Sequence, residues 1–230
     1  RQAMMQADRI VAFSQFSRNL IVKGLGGTEK IEVIPPGIES SWFEVERNQV
    51  DSNRILFWGR IEEEKGLPEL FVSLKKVTEK FADLKLTLVG EGNRLQEYKT
   101  LVTDLGLIKN VEFLGWLSDK ELQSIAGESR FGIFPSRIES FGLSVVEAMA
   151  AGLPVIAARG GAVAENIEED LTGRLVPVND PDALTEAILS LLEDQQSAEN
   201  RAKAAKTAAR EKFSWEKTAD RMFELYQSIT

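Results

Sequence analysis

Cysteine and histidine are both absent from the 230-residue sequence. Without cysteine the chain forms no disulfide and offers no thiolate, which favours a reducing compartment. Without histidine it holds no Ser-His-Asp triad, no imidazole general base and no histidine metal site of its own. Any catalysis in this chain therefore depends on carboxylates, on Lys or Arg, on backbone dipoles, or on groups from another domain.

Long apolar runs are also missing. The longest apolar-looking stretch, residues 148–158, is interrupted by Gly152 and Pro154 and is too short to cross a bilayer, so we expect no transmembrane segment. The sequence starts at Arg1 without an apolar signal core, and we interpret this start as a cut inside a longer protein. We expect a cytoplasmic location, with peripheral membrane association of the intact protein left open.

The charge balance is acidic, with a formal net charge of -8, while 43% of the residues are hydrophobic. That apolar fraction is typical of a globular protein with a substantial core. A net negative chain is repelled by a phosphate backbone, so we expect no nucleic-acid partner.

Strand-like and helix-like segments alternate along the chain. Short apolar runs typical of buried parallel strands occur at residues 54–59, 84–89, 111–116, 130–136, 154–158 and 173–178. Helical spacing of apolar residues lies between them, starting near Pro68, Leu95, Ser118, Leu143 and Asp180. This alternation predicts an α/β fold with a Rossmann-like, doubly wound parallel sheet, whose ligand crevice lies at the carboxyl ends of the strands.

The two ends of the chain differ from this pattern. Residues 1–36 predict one strand, one helix and a further strand before a Pro-Pro-Gly linker, residues 37–212 the main domain, and residues 213–230 a separate amphipathic helix. In that last helix Trp215, Ala219, Met222, Phe223 and Tyr226 form an apolar stripe. The Ala- and Lys-rich stretch at 198–210 is interpreted as a solvated helix.

Two carboxylates flank the start of a helix in the stretch 137–157. Glu139 precedes the helix and Glu147 lies one turn inside it, while Val145, Val146 and Met149 are expected to pack inward. Free N–H groups at such a start favour anions or hydroxyl-rich ligands, and a carboxylate can accept two hydrogen bonds from a vicinal diol such as ribose. The alternative is a helix-dipole role for Glu139 and a solvated surface position for Glu147.

A loop with two cations follows the first strong strand, in the stretch GRIEEEKG. Gly59 permits close approach of a ligand, and Arg60 and Lys65 together suit a diphosphate. The alternative is that both cations pair with the acidic run at 62–64.

Other patterns leave more than one interpretation open. GEGNRL at 90–95 lacks the third glycine of a dinucleotide fingerprint. The Gly160-Gly161 pair, with Glu165 nearby, is consistent either with close ligand approach or with a tight turn. The aromatic residues near these loops are interpreted as core or rim packing rather than as base-stacking platforms: Trp58, Trp116 and Phe141.

With these residues in place, the sequence resembles the carboxyl-terminal, donor-binding domain of a retaining glycosyltransferase of family 4 with the GT-B fold. The matching stretches occur in the family's order from about Ile31 onward: GRIEEEKG, LTLVGEG, VEFLGW, FPSRIESFGLSVVEAMAAGLPVIA, RGGAVAENI and LTGRLVPVNDPDAL. The combination of the Glu-x7-Glu element with the Gly-Arg…Lys-Gly loop is the specific part of the resemblance.

The resemblance implies roles for the matching residues. Arg60 and Lys65 would hold the nucleotide diphosphate and stabilise the leaving group without a metal, and Glu139 would contact hydroxyls of the transferred sugar. Backbone N–H groups around Phe141, Gly142 and Leu143 would meet the sugar and phosphate. Glu147 would bind the ribose, and the loop at Trp116 and Leu117 would lie near the base.

The sequence departs from the family at two places. The family draws a catalytic-site histidine from an amino-terminal domain, of which residues 1–36 resemble only the last strand and helix. The stretch GGAVAE also has one residue more before Glu165 than the commoner GGxPE form, so the part played by Glu165 stays open.

The resulting hypothesis is a donor-binding domain that transfers a hexose-type sugar from a nucleotide diphosphate sugar, UDP- or GDP-linked, to an acceptor hydroxyl. The acceptor, a sugar, lipid or small molecule, would bind the amino-terminal domain, and this chain alone would be inactive in transfer. No cofactor and no metal are expected. The alternatives are a GT-B nucleotide-sugar epimerase, a nucleotide-sugar-binding or regulatory module without transferase activity, and a nicotinamide oxidoreductase.

Overall fold

A six-stranded parallel sheet forms the centre of the molecule in a computed structural model, which describes residue 4 and residues 6–25 and 30–229. Its strands follow the order β5-β4-β3-β6-β7-β8. All five pairings are parallel, with Trp58 of β3 opposite Val89 of β4 and Leu56 opposite Gly132 of β6. The strands are β3 (Asp51–Trp58), β4 (Lys85–Val89), β5 (Val111–Gly115), β6 (Ser129–Phe134), β7 (Val155–Ala158) and β8 (Arg174–Val176).

Helices connect these strands, as the alternation predicts. They are α2 (Ser40–Phe43), α3 (Leu67–Thr78), α4 (Leu95–Asp104), α5 (Asp119–Glu128), α6 (Leu143–Ala150), α7 (Val163–Asn166), α8 (Pro181–Glu193), α9 (Gln195–Phe213) and α10 (Trp215–Gln227), with a 3₁₀ turn at Glu63–Lys65. Proline lies in the first turn of α3 and of α8. Ser118 caps α5 in a capping box with Glu121.

The strand order reverses direction between β3 and β6. From β3 the chain moves outward to β4 and β5, and from β6 it moves the opposite way to β7 and β8. Right-handed crossovers therefore place the connecting helices on both faces of the sheet. One face carries α3 packed against α8, and the other carries α6 packed against α9 and α2. The prediction of a doubly wound Rossmann-like sheet is confirmed.

The amino-terminal segment forms a second, small sheet. Strand β1 (Ile10–Ala12) pairs in parallel with β2 (Ile31–Val33), and α1 (Gln15–Leu25) lies between them in sequence. Some positions of the predicted amino-terminal segment lie outside the described residues, among them its first residue, Arg1, and residue 26 at the end of its predicted helix. The domain boundaries at 36/37 and 212/213 stay predictions.

The Pro-Pro-Gly linker after β2 is fixed by α10. Thr218 Oγ1 donates to the carbonyl of Pro35 at 2.9 Å, and Arg221 Nη2 donates to that of Val33 at 2.7 Å. The backbone N–H of Ile38 donates to Phe213 O at 2.7 Å. The junction of α9 and α10 is therefore joined to the segment that connects the two sheets.

One helical prediction needs correction. Helix α9 is not solvated all round, because its alanine face packs against the main sheet unit: Ala198, Ala202, Ala205 and Ala209 are buried. Small side chains permit this close approach, and Lys203 and Lys212 lie on the exposed side of the helix. In α10, Trp215, Phe223 and Tyr226 of the predicted apolar stripe are exposed, and Leu225 is buried.

In the part of the chain that the structure describes, every helix is too short or too polar to span a membrane.

Candidate active site

The carboxyl ends of β3 and β6 lie side by side at the point where the strand order reverses. In open parallel sheets this is where the crevice between diverging loops forms. The loop after β3 carries Gly59, Arg60 and Lys65, and the loop after β6 carries Arg137 and Glu139. The fold thus brings together two loops that are more than seventy residues apart in sequence.

Lys65 and Glu139 form an ion pair across these two loops. Lys65 Nζ lies 2.6 Å from Glu139 Oε1, and the two side chains are only 13% and 21% exposed. A lysine ammonium has three donors and a carboxylate has two acceptor oxygens, so both groups keep free hydrogen-bonding capacity. The pair can therefore contact an anion on the lysine side and hydroxyl groups on the glutamate side.

Arg60 lies in a different environment on the same loop. Its side chain is 72% exposed and Nη2 contacts Glu64 Oε1 at 3.0 Å. Pairing with the acidic run, the alternative raised by the sequence, thus describes Arg60 in this structure but not Lys65. An exposed ion pair of this kind contributes at most about 1 kcal/mol, so Arg60 can exchange Glu64 for another anion at little cost.

Glu147 is held by a tryptophan rather than lying in solvent. Trp58 Nε1, at the end of β3, donates to Glu147 Oε2 at 2.8 Å. Burial raises the pKa of Glu147 above its ordinary value, with the hydrogen bond from Trp58 acting in the opposite direction and the negative charge of Asp119 adding to the rise. The interpretation of Glu147 as a solvated surface residue is wrong.

The backbone of Glu139 is fixed by the Gly160-Gly161 turn. The N–H of Glu139 donates to Gly160 O at 3.2 Å, and Glu139 O accepts from the N–H of Ala162 at 2.9 Å. Gly161 has φ +66°, and a Cβ there would lie 2.3 Å from Glu139 O. The turn needs glycine because it packs directly on the Glu139 backbone, which favours the tight-turn interpretation.

Helix α6 begins beside the same loop. Gly142 precedes it in the left-handed conformation, with φ +86°, and Leu143 is its first residue. The N–H of Val145 donates to Gly142 O at 3.1 Å, whereas the N–H groups of Leu143 and Ser144 have no partner among the described residues and are available to a ligand. Phe141 is buried with its ring 5.6 Å from that of Phe213, as predicted, and its carbonyl accepts from Asn166 Nδ2. The predicted inward packing of Val145, Val146 and Met149 is confirmed.

The loop after β5 presents an exposed aromatic ring. Trp116 is 73% exposed and follows the last strand residue, Gly115, while Leu117 is half-buried. The interpretation of Trp116 as core or rim packing is wrong, whereas Trp58 is buried as predicted. Asp119 in the first turn of α5 is close enough to influence Glu147, so this loop lies near the Glu147 side of the crevice.

Arg137 is a structural member of this region that the sequence did not single out. Its N–H donates to Glu64 O at 2.7 Å, and its Nη2 contacts Glu69 Oε1 at 2.7 Å. It therefore joins the loop after β6 to the loop after β3 and to α3. The sequence does not indicate that Arg137 connects these elements, because Glu64 and Glu69, its partners, are distant in the chain.

The amino-terminal segment also reaches the Glu139 loop. Ser14 Oγ and Ser17 Oγ donate to the carbonyl of Ser140 at 2.6 and 2.9 Å. Glu165 accepts the N–H groups of Gln15 and Phe16 at 2.8 and 2.7 Å. The carboxylate of Glu165 thus caps α1. The spacing between the Gly160-Gly161 pair and Glu165 in the sequence did not reveal this role.

Across the described ranges, no cluster of three or more Asp or Glu side chains is arranged to hold a metal ion.

Comparison with known proteins places this chain in a family. The sequence profile described as "Glycosyl transferases group 1" matches residues 39–209. An uncharacterized glycosyltransferase of Methanocaldococcus jannaschii is 29% identical over 230 residues, covering 100% of this chain and 62% of that protein. Glycogen synthase of Mycobacterium tuberculosis is 28% identical over 224 residues, covering 96% and 54%.

A solved structure has the same fold. HepE of Anabaena, in complex with UDP and glucose, superposes with a TM-score of 0.89 at 24% identity, covering 98% of this chain and 65% of that one. The chain thus spans between about a half and two thirds of the length of these proteins. Because the family profile covers most of its residues, the chain belongs to the glycosyl transferases group 1 family, with the Rossmann-like domain of GT-B glycosyltransferases.

Proposed function

We propose that this chain is the donor-binding part of a retaining glycosyltransferase of family 4. The intact enzyme would transfer a hexose-type sugar from a nucleotide diphosphate sugar to an acceptor hydroxyl. The observation that carries the proposal is the Lys65–Glu139 pair, a shielded cation and carboxylate facing each other across the β3–β6 crevice. A diphosphate sugar presents its negative charge and its hydroxyls at neighbouring positions, which matches such a pair.

Arg60 and Lys65 would bind the diphosphate. When the bond between the sugar and the diphosphate breaks, negative charge grows on the departing phosphate oxygen. Lys65 is fixed where the crevice shields it from solvent, so its attraction for that charge is strong. Arg60 is exposed and would leave Glu64 to add a planar, two-pronged contact. This role would require no metal.

The remaining residues would bind the two ends of the donor. Glu139 would accept hydrogen bonds from sugar hydroxyls, and the N–H groups at Phe141, Gly142 and Leu143 would meet the sugar and phosphate. Glu147 would bind the ribose hydroxyls. Trp116 and Leu117 would flank the base, and Gly59 would allow the donor to approach the end of β3 closely.

The acceptor, a sugar, lipid or small molecule, would bind an amino-terminal domain. The relatives are longer than this chain, and their additional length would accommodate such a domain. Helix α10 supports this arrangement, because its exposed Trp215, Phe223 and Tyr226 offer an apolar surface for such a domain. The chain by itself would bind donor and transfer little. A cytoplasmic enzyme using UDP- or GDP-linked sugar is the form of the proposal that we favour.

Calorimetric titration with UDP, GDP and ADP tests the donor site. UDP comes first because the HepE complex contains it. We expect one nucleotide to bind, and Lys65→Ala and Glu147→Ala each to weaken that binding roughly 10- to 100-fold, since a hydrogen bond to a charged group is worth about 1.5–3 kcal/mol. Lys80→Ala, which removes one member of an exposed ion pair with Glu193, is the matched control.

The outcomes separate the candidate functions. If no nucleotide binds, or if Lys80→Ala weakens binding as much as Lys65→Ala, the donor site is wrong. If the nucleotide binds but the chain rejoined to its amino-terminal part transfers no sugar, a binding or regulatory module is the better description. Interconversion of free nucleotide sugars by the rejoined protein would identify an epimerase.

A further inference from the structure

The indole of Trp58 is fixed before it meets Glu147. The ring is 5% exposed and stacks on Trp42, with ring centroids 5.6 Å apart and planes 6° from parallel. The ring of Phe134 lies nearly perpendicular to it, with ring centroids 4.8 Å apart and an interplanar angle of 84°. Aromatic contacts of this kind restrict the orientation of a ring, so packing helps to set the direction of the Trp58 N–H.

This N–H has one acceptor. An indole nitrogen is only a donor, and a buried one needs a partner. Glu147 Oε2 fills that need at 2.8 Å, and within the described residues it is the one hydrogen bond recorded for the Glu147 carboxylate. Oε1 and the second lone pair of Oε2 therefore remain available to a ligand.

The bond also affects the charge of Glu147. Burial favours the neutral acid, while the hydrogen bond from Trp58 favours the carboxylate. A neutral acid would spend one of its oxygens as a donor and would lose the charge that strengthens hydrogen bonds from hydroxyls. Trp58 thus acts on both the position and the protonation of the same group.

We propose that Trp58 is a positioning residue that orients the Glu147 carboxylate so that it selects a ribonucleotide over its 2′-deoxy counterpart. The inference rests on the proposed function and adds a residue that contacts the donor only through Glu147. Trp58 ends β3 directly before Gly59, so the strand that begins the diphosphate-binding loop also fixes the ribose-binding carboxylate.

The test is calorimetric titration of UDP, GDP and ADP, each beside its 2′-deoxy form. Wild type is expected to prefer the ribonucleotide about tenfold, the value of one hydrogen bond to a charged group. Trp58→Phe keeps an aromatic ring and removes the N–H, and we expect it to reduce the preference to less than about threefold. Adding Glu147→Gln to Trp58→Phe should change the preference little further, because both substitutions act on the same contact.

Trp215→Phe is the matched control, since Trp215 Nε1 also donates to a carboxylate, Glu39 Oε1 at 3.1 Å, away from the crevice. It should leave the preference unchanged. A full wild-type preference in Trp58→Phe overturns the inference and leaves the donor site standing. An absence of nucleotide binding to wild type overturns the proposed function and the ribose selection together.

A ligand-free measurement tests the contact itself. Carboxyl-carbon NMR titration should show Glu147 protonating at a higher pH in Trp58→Phe than in wild type, and at an unchanged pH in Trp215→Phe. A general loss of packing would not change the titration of the Glu147 carboxyl alone. An unchanged Glu147 titration in folded Trp58→Phe would overturn the positioning role.

Discussion

Lys65 and Glu139 depend on each other because neither is well solvated. Removing one member of a shielded ion pair leaves the other with an unbalanced charge, which is more destabilising than replacing both. Their partial exposure lets water compensate in part, so the effect is smaller than for a fully buried pair.

We therefore predict that Lys65→Met lowers the free energy of unfolding by about 1–3 kcal/mol, and that adding Glu139→Gln restores much of the loss. Urea denaturation of the single and double variants measures this. Lys80→Met, which opens the exposed pair with Glu193, should change stability by less than about 1 kcal/mol. Equal losses in the two single variants would show that the Lys65–Glu139 pair is effectively solvated.

Glu147 is predicted to make the stability of the folded protein depend on pH, in a direction that its raised pKa determines. Its pKa is raised above the ordinary 4.5, so in neutral solution the folded state bears the cost of an ionised buried carboxylate. That cost disappears as the pH falls through the raised pKa towards 4.5, because the folded state takes up its proton first. Glu147→Gln removes the cost, so its stability relative to wild type should be more favourable at pH 7 than at pH 4.

Glu121 provides a control of opposite sign. Its pKa is lowered by hydrogen bonds from Ser118, so the carboxylate stabilises the folded protein above pH 4.5 and this contribution is lost as the pH falls through the lowered pKa. Glu121→Gln should therefore be least favourable, relative to wild type, at pH 7. Denaturation curves at the two pH values measure both variants, and parallel behaviour of the two would contradict the assignment for Glu147.

At the scale of elements, the first turn of α1 is capped by Glu165, a side chain that follows strand β7 of the six-stranded sheet. Glu165 accepts the N–H groups of Gln15 and Phe16, while Ser14 Oγ, the local cap, accepts the N–H of Ser17 at 3.0 Å. Ser14 and Ser17 meanwhile bind the carbonyl of Ser140, beside Glu139. Two hydrogen bonds therefore join the start of α1 to the loop of the candidate site, and two more join it to Glu165 in α7.

Glu165→Ala should release the start of α1, at a cost of about 0.5–2 kcal/mol, the range for loss of a helix cap. Hydrogen exchange should increase at the amides of Gln15 and Phe16 while the amides of β3 stay protected. Glu168→Ala is the matched control, because Glu168 lies one turn on and contacts Lys212 at 3.9 Å without touching α1. Unchanged exchange at Gln15 in Glu165→Ala would mean that the cap is not formed in solution.

At the scale of the whole molecule, the proposed donor joins loops that follow β3, β5 and β6. A ligand that binds only the folded chain stabilises it by about 2.7 kcal/mol at a concentration one hundred times Kd. For a chain of this length that corresponds to a rise in Tm of about 5–10 °C.

We predict such a rise for the nucleotide that calorimetry identifies, measured by thermal unfolding at that concentration. The same rise should persist in EDTA, because the proposed phosphate contacts come from Arg60 and Lys65. Lys65→Ala should show almost no rise at the same nucleotide concentration. Loss of the effect in EDTA would show that the site needs a metal ion after all.

The sequence determined the layer architecture of the protein. Compact apolar runs alternating with helical spacing fixed the order of strands and helices, because periodicity depends only on neighbouring residues. Local signals also predicted the start of α3 near Pro68, where the helix begins at Leu67, and a cap of α5 at Ser118 or Asp119, of which the structure has Ser118. The loops that hold Arg60, Lys65 and Glu139 were identified as polar segments at the ends of predicted strands, and Glu147 as a carboxylate one turn inside the helix that follows.

Only the tertiary structure decided which of these side chains meet. Lys65 pairs with Glu139 and Arg60 with Glu64, a distinction that two cations on one loop cannot reveal. Trp58 binds Glu147 across 89 positions of sequence, and Glu165 caps a helix 149 residues away. The Ala- and Lys-rich composition of α9 led to the interpretation of a solvated helix, which is wrong because its small alanines pack closely against the rest of the protein. In each case the physical reason is the same: hydrogen bonds and packing depend on distances in space, which the folded sheet sets and the order of residues does not.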